Sequence, residues 1–121
     1  MTPHELLNAA QRLLDRPDAR TAAIWPRAAA LLARQALEQG LDAYWHSKGL
    51  KLADLGTRPQ LICLAGYLPG PDIAGRASHA WSSLTQACHH HPYELATGHV
   101  ELKALLSEVG AALTGMGRPR D

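Results

Sequence analysis

Phenylalanine is absent from the 121-residue chain, valine and isoleucine are sparse, and cysteine occurs only twice. Each shortage excludes something. Sheets draw on β-branched and aromatic residues, so this composition argues against them. Cys63 and Cys88 fit no CxxC spacing and are too few for a disulfide framework, which leads us to expect a reduced, cytoplasmic protein. No apolar run approaches the length of a membrane span. The opening MTPHELLNAAQRLL has a helical pattern rather than the architecture of a signal peptide. Charge is also in short supply. Twelve Lys and Arg stand against eleven Asp and Glu, for a net +1. The basic residues are scattered, so a general electrostatic grip on nucleic acid is not expected, although a local RNA site is compatible with this balance. There is no Gly-rich phosphate loop, GxSxG elbow or HExxH pair.

What the chain does have is alanine and leucine, which enter helices at little cost. Its length fits one domain over residues 1–121, with GMGRPRD (115–121) as a frayed tail. Thr2-Pro3-His4-Glu5 is a capping box with proline at the first helical position. Leu6, Leu7, Ala10, Leu13 and Leu14 follow as one stripe, ending near Arg16. A second, longest helix starts between Asp18 and Pro26 and runs to about Ser47, with Gly49 beyond it. Leu37, Leu41, Tyr44 and Trp45 form its apolar face, widened by Leu31, Leu32 and Ala36. Arg34, Glu38 and Asp42 form a solvated stripe opposite. Thr57 to Gln60 reads as a second capping box, opening a shorter third helix whose buried positions are Leu61, Leu64 and Leu68.

The fourth helix spans roughly Asp72 to His91, with Asp72 as its N-cap. Ile73, Ala77, Ala80, Trp81, Leu84, Cys88 and His91 share one stripe. Gly75, Ser78, Ser82 and Thr85 make a face of small residues that would admit a second helix. Arg76, His79 and Gln86 lie on a third, polar face and are the candidate nucleic-acid contacts. Thr97 caps a fifth helix carrying Leu102, Leu105, Leu106, Val109 and Leu113. The expected fold is an all-α, up-and-down bundle of four to five helices. Trp25, Trp45 and Trp81 are spaced as core residues.

Between the last two helices lies TQACHHHPYEL. Successive helical residues point about 100° apart, so His89, His90 and His91 cannot all face one ion. Cys88 with His91, or His90 with Glu94, would supply two ligands, fewer than a zinc site uses. No cofactor and no metal are expected. The bland alternative makes His91 a hydrogen-bonded helix-terminal imidazole, with His89 and His90 solvated near the negative end of the helix dipole.

This segment, with AALLARQALEQGLDAYW on the long helix, resembles the HEPN superfamily over about residues 28–113. It is most similar to actinobacterial HEPN-like proteins that carry an ACHHHxYEL segment. Catalytic HEPN domains carry an arginine followed, four to six residues on, by a histidine, often with a tyrosine two residues later. They are metal-independent ribonucleases with a composite site across a homodimer. His91 and Tyr93 match the histidine and tyrosine, but the count back from His91 reaches Gln86 and no arginine meets the spacing. The resemblance therefore implies an interaction or regulatory module of a toxin–antitoxin, defence or stress system. Its expected partners are a second copy, a cognate antitoxin or other protein, and RNA. Were it catalytic, His91, His90, Tyr93 and Glu94 would carry the acid–base work. The missing guanidinium removes the fork of charged donors that phosphate chemistry uses. A third alternative is a metal-binding protein using Cys88 and the histidines.

Overall fold

The computed structural model describes residues 1–15, 25–52, 54–68, 71–89 and 98–117. Five helices are present: α1 (Pro3–Asp15), α2 (Trp25–Ser47), α3 (Thr57–Leu64), α4 (Pro71–Cys88) and α5 (His99–Gly117). No strand occurs among the described residues. The fold is an all-α bundle, as its composition implies.

Helix boundaries follow local chemistry. The Glu5 backbone N–H donates to Thr2 Oγ1 at 3.1 Å, which fills one of the unsatisfied donors of the first turn. Pro26 sits in the first turn of α2, where its missing N–H removes no helical bond. Gly49, with φ of 71°, supplies the left-handed residue that lets the chain leave α2.

Contacts between helices define their directions. Gly110 lies against Leu7, and His99 against the Leu14 carbonyl, so α1 and α5 run antiparallel. The start of α1 meets the ends of α2 and α5 around a cleft of about 340 Å³ lined by His4, Tyr44, Ser47 and Met116 among others. Ile73 at the start of α4 meets Gly115 near the end of α5. Trp81 on α4 meets Glu38 on α2. Thus α1, α2, α4 and α5 alternate in direction, and α3 packs on α4 within the connection from α2.

Helix α2 is central, packed against α1, α4 and α5. Ala29, Ala30, Ala33 and Ala36 are fully buried, so neighbouring helices meet α2 across methyl groups. The expected apolar stripes are buried at Leu6, Ala10 and Leu14 in α1, at Leu37, Leu41, Tyr44 and Trp45 in α2, and at Leu102, Leu105, Leu106, Val109 and Leu113 in α5.

Four expectations need correction. Leu31 does not widen the buried face of α2, because it is 38% exposed. Thr57 does not cap α3. The N-cap is Gly56 without a side-chain bond, while the Thr57 hydroxyl donates to Glu38 and the Gln60 amide donates to the Leu55 carbonyl. Asp72 lies inside the first turn of α4, one residue past its start, where its charge complements the helix dipole. Residues 115–117 are helical rather than part of a tail. They close α5, and Gly115 is buried where an added Cβ would come within 2.8 Å of Ile73 Cδ1. Residues 118–121 lie outside the described part.

Candidate functional site

The segment singled out by sequence is only partly within the described residues. His90, His91, Tyr93 and Glu94 lie outside them, as does Thr97. Cys88 is the last residue of α4 and half-buried; His89 follows it and is exposed. Arg76, His79 and Gln86 are all exposed on α4, where they could meet a ligand arriving from solvent. Spaced along one helix at 76, 79 and 86, they form an open surface rather than an enclosed site.

The structure gathers a different polar set. On α2, Arg27, Arg34 and Glu38 are seven and four residues apart, which returns them to one face of the helix. On α4, Trp81, Thr85 and Cys88 recur at spacings of four and three and share a face likewise. The two faces meet. Glu38 Oε2 accepts from Trp81 Nε1 at 3.4 Å and from the Thr57 hydroxyl at 3.2 Å, so one carboxylate joins α2, α3 and α4. Arg34 Nε approaches Glu38 Oε1 at 3.8 Å, with the two side chains 22% and 34% exposed. The Arg58 guanidinium lies over the Trp81 ring at 5.6 Å.

The stripe read from sequence as solvated is therefore a half-covered seam at Arg34 and Glu38, and only Asp42 remains fully exposed. Trp81 is correspondingly not a plain core residue. Its ring packs against the core while its N–H is spent on the carboxylate. Thr85 also turns out differently. It belongs to the small-residue face of α4, yet its hydroxyl is buried and has no hydrogen-bond partner among the described residues. At the other end of that face, Gly75 is exposed with open space around it.

Electrostatics at the C-terminal end of α4 reflect this arrangement. Burial pushes the Cys88 thiol above its ordinary range, Arg34 and Arg27 pull it back, and Glu38 adds to the rise. A raised thiol holds less thiolate near neutral pH and is a slower nucleophile. Cys63 is exposed on α3. With iodoacetamide at about pH 8, Cys63 should be alkylated at least about tenfold faster than Cys88, read by peptide mass spectrometry. Equal rates would mean that the seam does not shield Cys88.

Among the described residues, no three His, Cys, Asp or Glu side chains converge so as to hold a metal ion. No helix among them is long and apolar enough to cross a membrane. The chain matches no family model, no curated protein and no solved structure.

Proposed function

We propose that this chain is a HEPN-like interaction or regulatory module that binds RNA, acting in the cytoplasm within a toxin–antitoxin, defence or stress system. It works as a homodimer, or with a cognate antitoxin or other protein partner. One observation carries the reading. The Cys88-His89 end of α4, from which the histidine-rich segment continues, lies within electrostatic reach of two arginines on α2. Two arginines near the residue from which the histidine run continues in sequence suit a phosphate backbone, with Glu38 offsetting part of their charge. The polar face with Arg76, His79 and Gln86 would extend that contact.

The same observation favours a second reading, a metal-independent ribonuclease with a composite dimeric site around His91. Arg34 reaches the end of α4 from another helix, so a guanidinium is close by although Gln86 stands where the motif arginine would be. In that reading Arg34 supplies the charge that stabilises the phosphorane, and His91, His90, Tyr93 and Glu94 carry the acid–base work.

Labelled tRNA and single-stranded RNA test both readings, with the protein and its His91→Ala variant, each in EDTA and with added zinc. Saturable, salt-sensitive binding without cleavage supports the module. EDTA-resistant cleavage lost in His91→Ala establishes the ribonuclease in its place. Cleavage that requires zinc would turn the Cys88 and histidine segment into a metal site and overturn both. Absence of RNA binding overturns the RNA reading. A homodimer in light scattering supports that part of the reading; a monomer at every concentration would remove it.

A further inference from the structure

We propose that the cleft where α1 begins and α2 and α5 end binds a small, uncharged aromatic molecule that carries one hydrogen-bond donor. Size and access come first. The cleft holds about 340 Å³, within the range of about 300–1,000 Å³ typical of small-molecule sites and above the roughly 150 Å³ that admits benzene. His4, Ala43 and Ser47 on its walls are exposed, so it opens to solvent. One wall depends on Gly40. There an added Cβ would collide with Leu113 Cδ2 and come within 3.4 Å of Met116 Cε, so only glycine leaves room for these two side chains against α2.

The lining selects the ligand. Among the described residues, no Asp, Glu, Lys or Arg lines the cleft, so a charged ligand leaving water would find no fixed counter-charge there. Ala43, Leu113 and Met116 contribute apolar surface, and the Met116 thioether suits an aromatic ring. Ser47 sets the polarity. Its hydroxyl proton is given to the Tyr44 carbonyl at 2.6 Å, so toward a ligand its oxygen is an acceptor. The matching group on the ligand is a donor.

This site goes beyond the RNA reading and stands or falls without it. Ile73 near the start of α4 packs at Gly115, at the cleft end of α5. Cys88 and the histidine-rich segment therefore begin about 20 Å away along α4.

Indole, uncharged and with a single N–H donor, is the probe. It is titrated into the ¹⁵N-labelled full chain and followed by backbone amide shifts. Saturable shifts at residues 4–7, 40–47 and 113–117 are expected, with none at 84–89. Benzofuran has nearly the same shape with an oxygen in place of the N–H, and should bind about fivefold more weakly. Ser47→Ala should weaken indole by about the same factor and leave benzofuran unchanged, a contrast that a folding defect would not produce. Ala43→Phe, at an exposed position on the cleft wall, should abolish binding of both by occupying the space. Unchanged amide dispersion outside the cleft confirms that each variant is folded. Indole-3-acetate, which adds a carboxylate, should bind at least about fivefold more weakly than indole.

Absence of saturable shifts at the cleft, or undiminished indole binding in Ala43→Phe, overturns the site. Equal affinity for indole and benzofuran, or tighter binding of indole-3-acetate, overturns the ligand class assigned to it.

Discussion

Trp45→Ala is expected to destabilise the protein by about 3–5 kcal/mol, the range for removing a large aromatic from a packed core. Trp45 is fully buried, in the last turns of the central helix. Its ring meets Tyr44 edge-on at 5.0 Å and Tyr67, in the turn after α3, at 5.2 Å and 86°. The substitution therefore cuts two aromatic contacts and opens a void that α2 and the α3–α4 connection share. Small domains hold about 5–15 kcal/mol in all, so much of the native stability would go. Trp45→Phe distinguishes the origin of the loss. The indole N–H is buried without a hydrogen-bond partner among the described residues, so a phenyl ring gives up volume but no hydrogen bond. We expect it to cost under half as much. Urea unfolding followed by circular dichroism measures both; similar losses in the two variants would contradict a packing origin.

The second large effect belongs to Glu38. Glu38→Ala should cost about 1–3 kcal/mol, because it strands the Trp81 N–H and the Thr57 hydroxyl in a half-covered seam and leaves Arg34 without its carboxylate. The ion pair itself contributes little of this. At 3.8 Å, and with both side chains partly exposed, it is worth under about 1 kcal/mol. Glu38→Gln retains an acceptor oxygen at the same reach and should recover much of the loss. If alanine and glutamine were both neutral, to within about 0.5 kcal/mol in urea titrations, Glu38 would be an ordinary solvated residue after all.

That contrast marks the boundary of what was legible in the sequence. Apolar residues at helical spacing can be buried only one way, so the stripes of α1, α4 and α5 were readable in advance. Gly49 was readable because few residues leave a helix through the left-handed region. The fate of a polar stripe is not local information. Arg34 and Glu38 fall at the spacing of any exposed i,i+4 pair, and only the packing of α3 and α4 decides that this one is covered. One signal existed: Trp81 sits on an apolar stripe and its N–H needs an acceptor. Thr57 shows the converse, since a hydroxyl placed to cap its own helix bonds a carboxylate on another. The close packing at Gly115 was equally hidden, because a glycine near a chain end looks like a fraying signal until Ile73 is seen against it. Arg76, His79 and Gln86 are exposed on α4, as a polar face requires, whereas the seam at Arg34 and Glu38 was not anticipated.

The ring of His99, the first residue of α5, donates through Nε2 to the Leu14 carbonyl at 3.0 Å, 85 positions earlier in the chain. A carbonyl in the last turn of α1 thus gains its partner from a residue made long afterwards. On the ribosome, α1 can lie against α2 as soon as both have emerged, but its end and the far side of α2 stay uncovered until α5 arrives. Closing so long a loop costs entropy that only the packing of the last helix offsets. Full packing of α1 and α2 thus waits on α5, and a nascent chain lacking α5 would present the alanine-lined side of α2 to whatever is nearby.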